Sequence, residues 1–153
     1  MHALALAAAA LAGLAGAAAA CPDPAERGRL HALSGDLLWT PDSFEVAAGG
    51  DLALVGCPEV PFRIGRFASA PDLTFDLTDM RPYRLKLRVS SPCDALLLVG
   101  TADKSWLFDD DSHGTLDPTL VIASPGDGRL DVWVGTFDGE GCPATLTLGT
   151  FHR

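Results

Sequence analysis

The segment Tyr83-Arg84-Leu85-Lys86-Leu87-Arg88-Val89 (residues 83–89) alternates apolar and basic residues without a break. Successive side chains of a β-strand point to opposite faces, so this period of two predicts a strand with one apolar face and one basic face. The preceding segment at residues 72–77, DLTFDL, alternates in the same way and carries aspartate and threonine on its polar face. If the two segments form a hairpin over residues 78–82, opposite charges face each other across the pair.

Similar short segments follow one another along the rest of the chain, separated by turn residues. Their spacing of about ten residues is typical of all-β sandwiches and barrels. The sequence therefore predicts an all-β fold. Its candidate strands are residues 43–47, 51–56, 72–77, 83–89, 93–100, 105–109, 118–123, 129–137 and 143–151.

Two of these segments predict how the strands are buried. Residues 96–99, LLLV, are apolar throughout, which indicates a strand covered on both faces. In residues 129–137, the apolar residues at 130, 132 and 134 alternate with Asp131 and Trp133. We therefore expect Asp131 and Trp133 to lie on the face of the strand opposite the central core.

The N-terminal part of the chain differs from the rest. Residues 1–20 are almost wholly alanine, leucine and glycine and end in Ala-Ala-Ala, which predicts a secretory signal peptide with an A-x-A cleavage site. Residues 21–42, rich in proline and glycine, are predicted to form an N-terminal arm, with one candidate helix from Ala25 to Leu33 and Trp39 plugging one end of the sandwich. Residues 43–153 then form a single β-sandwich domain, and no later segment is long and apolar enough to cross a membrane.

The four cysteines, Cys21, Cys57, Cys93 and Cys142, all follow the predicted cleavage site. An even number of cysteines in an exported protein indicates two disulfides, with three possible connectivities. No pair has the C-x-x-C spacing of a structural zinc site. Cys21 is alternatively a site of lipid attachment, because it follows the cleavage site directly. The predicted location is secreted or periplasmic, with no membrane contact unless Cys21 is lipidated.

The charge balance restricts the partner. The chain has 20 acidic and 11 basic residues and a formal net charge of −9. This balance disfavours nucleic acids and anionic membranes and suits a divalent cation.

An acidic cluster occupies residues 109–117 and contains Asp109, Asp110, Asp111 and Asp117. Adjacent carboxylates repel one another, and calcium takes six to eight oxygen ligands from such groups. The cluster therefore predicts a calcium site, although its spacing is not that of an EF-hand. The alternative is a solvated turn between strands, as most charge runs are.

Trp106 and Trp133 are candidates for binding a sugar ring or a peptide, because tryptophan offers a large rigid surface with a polar end. The alternative is that both pack in the core. The sequence has no G-x-S-x-G motif, and Ser112, His113 and Asp111 are adjacent, a spacing that seldom orients a catalytic triad. We therefore predict a binding or accessory protein and no enzyme. A peptidase-like hydrolase and a purely structural envelope protein are the alternatives.

Four stretches together resemble one known family. They are Ser43-Phe44-Glu45-Val46 with Gly49-Gly50 and Leu52; Cys93-Asp94 with residues 96–99; Trp106-x-Phe108-Asp109-Asp110-Asp111-Ser112 with Leu116-Asp117-Pro118; and residues 128–136 with Ala144-Thr145-Leu146. From about Phe44 to Phe151, the chain resembles the pre-peptidase C-terminal (PPC-like) domain family. These are small modules often appended to secreted bacterial proteases.

The resemblance implies an antiparallel jelly roll of about eight or nine strands without catalytic residues, often with calcium in an acidic loop. It adds Asp94 as a candidate calcium ligand and implies a Cys93–Cys142 disulfide, which leaves Cys21 to pair with Cys57. The chain has no protease domain, so the implied partner is an unknown polysaccharide or protein, for example an exported hydrolase encoded elsewhere. Residues 100–104, GTADK, depart from the family's usual Asn-x-Pro-Asp-Gly, which disfavours a calcium ligand there.

Overall fold

The computed structural model describes residues 21–112 and 114–153, so the predicted signal peptide and His113 lie outside the described residues. The described part contains eleven strands and two 3₁₀ turns, Leu37–Trp39 and Leu54–Gly56. The strands are β1 (Arg29–Ser34), β2 (Asp42–Ala48), β3 (Leu52–Ala53), β4 (Arg66–Phe67), β5 (Leu73–Thr78), β6 (Tyr83–Ser90), β7 (Ala95–Gly100), β8 (Trp106–Asp109), β9 (Thr119–Ile122), β10 (Gly128–Thr136) and β11 (Cys142–His152).

The strands form two stacked sheets. The large sheet has seven strands in the order β1-β5-β10-β4-β3, and β7 also pairs with β10 and carries β8. The small sheet has the order β2-β11-β6-β9. All pairs are antiparallel except β1 with β5, which is parallel. This arrangement confirms the predicted all-β sandwich.

The central core lies between the two sheets and follows the alternation of the sequence. Every second residue of β6 is buried, from Tyr83 to Val89, and the three residues between them that carry positive charge are exposed. The inward residues of β10 (Leu130, Val132 and Val134) belong to the same core, as predicted. Burial of one face of each strand against the other sheet is the main term that holds such a sandwich together.

A second, smaller core covers the outer face of the large sheet. All six residues of β7 are buried, because Leu97 and Val99 enter the central core while Leu96 and Leu98 enter the second core. That second core also contains Trp133 and is covered by residues 54–67 and Cys21. The predicted burial of this strand on both faces is therefore confirmed.

The hairpin considered for residues 72–77 and 83–89 does not form. β5 pairs with β1 and β10 in the large sheet, whereas β6 pairs with β9 and β11 in the small sheet. The two strands face each other across the core because each has an apolar face to bury. Residues 79–82 connect the two sheets, and the charged faces of β5 and β6 point to opposite sides of the molecule.

The N-terminal arm also differs from its prediction. The helix expected from Ala25 to Leu33 is wrong, because residues 29–34 form β1 and complete the hydrogen bonds of β5 at the edge of the large sheet. Trp39 does not plug the sandwich. It is 52% exposed and packs on the rings of His152, at 4.8 Å, and Tyr83, at 6.3 Å.

Two disulfides join Cys21 to Cys57 and Cys93 to Cys142, which confirms the predicted pairing. The first ties the arm to the segment that covers the large sheet. The second ties the segment before β7 to the start of β11, across the two sheets. The sulfur of Cys21 is therefore engaged in a disulfide, which argues against its lipidation. No helix among the described residues has the length and hydropathy needed to cross a membrane.

Candidate functional site

A cleft of about 690 Å³ opens on the outer side of the large sheet. One wall is the arm at Pro24 and Ala25 together with Glu59, and the other is the β7–β8 hairpin at residues 100–106. Arg129 and Asp131 of β10 line it between these walls. We call it the arm cleft. It combines an aromatic wall, small residues and a few charged groups, as ligand sites commonly do.

Covalent and hydrogen-bond links hold the arm wall in place. The Cys21–Cys57 disulfide joins the arm to the segment that carries Glu59. The Asp23 N–H donates to the Ser69 carbonyl oxygen at 2.9 Å, and the Ser69 hydroxyl donates to the Glu26 carboxylate at 3.2 Å. The wall is therefore fixed before any ligand arrives, which reduces the entropy lost on binding.

A network of buried polar groups forms the floor. Asp131 is only 4% exposed and accepts hydrogen bonds from the Thr74 hydroxyl at 2.7 Å and from Arg129 Nε at 3.0 Å. Arg129 also donates from Nη2 to the Glu26 carbonyl oxygen. The Gly28 N–H in turn donates to the Thr74 hydroxyl at 3.0 Å. A buried carboxylate is tolerated when its oxygens are paired in this way, so the floor is a preorganised, charged surface.

The two candidate tryptophans have different surroundings. Trp133 is fully buried, and its Nε1–H donates to the Ser69 carbonyl oxygen at 3.1 Å. Its predicted role as a binding platform is wrong, since no ligand reaches its surface. Trp106 is half-buried, lines the arm cleft and packs against Trp133 with ring centroids 5.3 Å apart. A Cβ at Gly100 would lie 3.4 Å from Trp133 and 3.6 Å from Trp106, which are ordinary contact distances, so both rings pack directly against this glycine.

The turn of the β7–β8 hairpin is closed by its own hydrogen bonds. The Thr101 N–H donates to the Ser105 carbonyl oxygen at 3.0 Å, and the Lys104 N–H donates to the Thr101 carbonyl oxygen at 2.9 Å. The Thr101 hydroxyl also donates to the Asp103 carboxylate, and this bond lowers the pKa of Asp103. The turn holds the exposed Lys104 at the cleft mouth, opposite the arm.

Two of the five predicted calcium ligands bind residues of other turns or strands, whereas Asp110, within the described residues, accepts only the N–H of the next residue, at 2.9 Å. Asp109 Oδ2 accepts hydrogen bonds from the Ser112 hydroxyl at 2.5 Å and from the Thr119 N–H at 2.7 Å, which closes the loop between β8 and β9. Asp117 accepts the Ser91 N–H at 3.2 Å and lies 3.6 Å from Arg88. These two carboxylates stabilise turns and an edge of the small sheet.

The other three, Asp94, Asp110 and Asp111, lie near one another at one end of the sandwich. Burial raises the pKa of Asp94, and the negative charges of Asp111, Asp110 and Asp138 raise it further. Asp138, in the loop between β10 and β11, escaped the sequence analysis because only the pairing of β7 with β10 brings it close. Within residues 21–112 and 114–153, no three acidic, histidine or cysteine side chains converge as a metal site. The predicted ligands therefore do not form a prearranged metal centre.

The described histidines have no catalytic surroundings. His31 packs between the rings of Phe44, at 4.7 Å, and Phe75, at 5.8 Å, and its buried Nε2 has no hydrogen-bond partner. His152 packs on Tyr83 and Trp39. A histidine that acts as a general base needs a hydrogen bond to the group whose proton it takes. Among the described residues, no hydrogen bond joins a histidine to a serine or to an acid.

Comparison with known proteins finds only distant structural similarity. The chain matches no protein-family model, so the resemblance to PPC-like domains stays a prediction, and it matches no curated protein sequence. Among solved structures, it is similar to PliG of Aeromonas hydrophila, a periplasmic inhibitor of g-type lysozyme. The two are 10% identical with a TM-score of 0.47, over 81% of this chain and 99% of that one.

Proposed function

We propose that the protein is an exported, non-catalytic binding module whose ligand occupies the arm cleft. The observation that carries this proposal is a cleft that has a half-buried tryptophan in one wall and a preorganised charged floor. Such a site provides contact area and orientation, and among the described residues no histidine is hydrogen-bonded to a nucleophile beside it.

Export is supported by the N-terminal sequence and by the two disulfides. Residues 1–20 have the composition of a signal peptide, and both cysteine pairs are oxidised. Disulfides of this kind persist in the periplasm or outside the cell and are rare in the cytosol. The engagement of Cys21 in one of them favours a released protein over a lipid-anchored one.

The cleft chemistry favours a segment of a protein partner over a neutral sugar. Glu59 and Lys104 place opposite charges on its two walls, and Arg129 adds a partly exposed guanidinium. A peptide supplies both charge signs as well as apolar side chains for Trp106. An exported hydrolase fits as such a partner, with this protein as its accessory or regulator.

The test compares Trp106→Ala with Trp39→Ala, which removes a more exposed tryptophan that does not line the cleft. Calorimetric titration with a peptide library, a neutral glycan panel and exported hydrolases, including a g-type lysozyme, identifies the ligand. We expect Trp106→Ala to weaken its binding about tenfold or more, as for a central aromatic contact, and Trp39→Ala to leave it unchanged. Equal affinity of both variants would exclude the cleft. Turnover of casein or of a glycan by the purified protein would overturn the non-catalytic assignment.

Calcium belongs to this proposal as a structural ion at the end of the sandwich where Asp94, Asp110, Asp111 and Asp138 lie. Burial is the main cause of the raised pKa of Asp94, and the nearby negative charges raise it further; this repulsion supports the proposal, because a bound cation would relieve it. The carboxylates would have to turn toward one another to hold the ion. Calcium at millimolar concentration should then raise the melting temperature, since an ion that binds only the native state stabilises it. Asp94→Asn/Asp111→Asn should abolish the rise, and the absence of any rise in the wild type would refute the site.

A further inference from the structure

The outer face of the small sheet carries a row of exposed cations. Arg84, Lys86 and Arg88 occupy alternate positions of β6 and point away from the core. Side chains on one face of a strand repeat about every 6.8 Å, so the three charges line up over roughly 14 Å. We call this row the basic stripe.

The basic stripe is largely unneutralised by the protein itself. Arg88 lies 3.6 Å from Asp117, and no ion pair among the described residues involves Arg84 or Lys86. The chain has only 11 basic residues against 20 acidic ones, and three of those 11 lie in this stripe. The stripe is therefore a positive patch on an otherwise strongly negative molecule.

A shallow groove of about 290 Å³ runs beside the stripe. The strand register places Thr147 of β11 opposite Arg88 and Gly149 opposite Lys86. Pro41 forms the far wall of the groove. A Cβ at Gly149 would lie 3.1 Å from the Pro41 ring, so a side chain at this position would fill part of the groove. Cations lie along one side of the groove, and the Thr147 hydroxyl lies on its floor.

We propose that the basic stripe binds an anionic polysaccharide, one that carries carboxylate or sulfate groups, along the direction of β6. Charge complementarity supports a linear anion, and the hydroxyls of Thr147 and Ser43 on the neighbouring strands suit the hydroxyls of a sugar chain. A protein partner fits less well, because stable protein interfaces have an apolar core. The large apolar side chains near the stripe are Val121, one strand away, and the half-buried Phe151.

The net charge of −9 does not prevent this binding. At physiological ionic strength, charges are screened beyond about 8 Å, so a polyanion at the stripe interacts mainly with the cations that it contacts. The negative charge elsewhere restricts the polymer to this face. It also makes the affinity modest and strongly dependent on salt.

The basic stripe is independent of the arm cleft. The stripe lies on the outer face of the small sheet and the cleft on the outer face of the large sheet, so the whole sandwich separates them. Failure of one proposal leaves the other untouched. A module with both surfaces would hold a protein partner while attached to an acidic matrix.

The experiment measures binding of the full mature protein to immobilised polygalacturonate and dextran sulfate, with neutral pullulan as the control polymer. Polyglutamate and a single-stranded oligonucleotide represent the competing classes of polyanion. Lys86→Gln is compared with Arg27→Gln, which removes the same charge from an exposed position of the arm. We expect Lys86→Gln to weaken polysaccharide binding about threefold and Arg84→Gln/Lys86→Gln about tenfold, as for exposed ionic contacts. Arg27→Gln should have no effect.

Three outcomes would overturn the proposal. The first is an absence of binding to both acidic polysaccharides at low salt. The second is an equal loss in Lys86→Gln and Arg27→Gln, which would reflect net charge alone. The third is tighter binding of polyglutamate or of the oligonucleotide, which would assign the stripe to another class of partner. Unchanged melting temperatures of the variants show that any loss of binding is local.

Discussion

Asp72, at the side of the sandwich just before β5, lends itself to a quantitative test. Its carboxylate Oδ2 accepts the Val134 N–H at 2.7 Å. Burial raises the pKa of Asp72 from 3.8 to about 6, although the Val134 N–H and the Arg29 guanidinium both oppose this rise. Ionisation of the Asp72 carboxyl group is therefore less favourable in the native state than in the unfolded chain.

The sign and size of the effect on stability follow from the two pKa values. Between pH 4 and 6 the folded chain keeps a proton on Asp72 that the unfolded chain releases. The free energy of unfolding therefore falls as the pH rises through this window. The loss is roughly 3 kcal/mol, at about 1.4 kcal/mol for each pKa unit, and it is complete above the folded pKa.

Asp72→Asn should remove this pH dependence. Asparagine keeps an oxygen that accepts the Val134 N–H, but it has no charge to desolvate. We expect the variant to resemble the wild type near pH 4 and to exceed its stability at pH 7.5 by up to about 3 kcal/mol. Asp76→Asn is the matched control, because Asp76 is exposed on the neighbouring strand β5.

The assay is urea denaturation at several pH values between 4 and 7.5, followed by tryptophan fluorescence. Differences between the variant and the wild type isolate Asp72 from the other titrating groups of the protein. A difference that stays constant from pH 4 to pH 7.5 would refute the reasoning, and so would an equal gain in Asp76→Asn.

Three further predictions concern stability. Cys93→Ala/Cys142→Ala should lower the free energy of unfolding by about 4 kcal/mol, because this disulfide closes a loop with a sequence separation of 49. Trp133→Ala should cost about 3–5 kcal/mol, since it removes a fully buried ring from the second core. Thr74→Val should cost about 1–3 kcal/mol, because it removes a hydrogen-bond donor from the buried Asp131 carboxylate. Urea denaturation measures all three.

Each of these three stability predictions has its own control and its own contradicting result. Reduction of Cys21→Ala/Cys57→Ala, which keeps only the Cys93–Cys142 disulfide, should reproduce most of the loss from the disulfide variant, and a loss below about 1 kcal/mol would contradict the loop-closure argument. Trp39→Ala, which removes an exposed ring, should cost far less than Trp133→Ala, so equal costs would contradict the second core. Thr78→Val, at an exposed position of β5, should change little, and a matching loss there would show that Thr74 acts only through strand propensity.

The sequence predicted most reliably where burial alone decides the pattern. The strands at residues 83–90 and 128–136 were visible as period-two alternation, and the burial of residues 95–100 on both faces was visible as an unbroken apolar run. Each strand has to hide its apolar side chains whichever strand it pairs with. These features therefore do not depend on the rest of the fold.

The same local information was misleading about pairing. Charge complementarity suggested a hairpin of residues 72–77 with 83–89, but exposed ion pairs are weak, and burial of both apolar faces across the core outweighs them. β1 was missed because an edge strand with mixed burial shows no clean alternation, and its partner β5 lies far along the chain.

By itself, the sequence determined the fold class, the position of most strands and, through a family resemblance, the disulfide pairing. Only the tertiary structure decided which side chains share a surface. It separated Trp106 from the buried Trp133, bound Asp109 and Asp117 into turns, and formed the arm cleft from segments far apart in the chain. The physical reason is that burial in a strand depends on local alternation, whereas a site depends on long-range pairing that no single segment encodes.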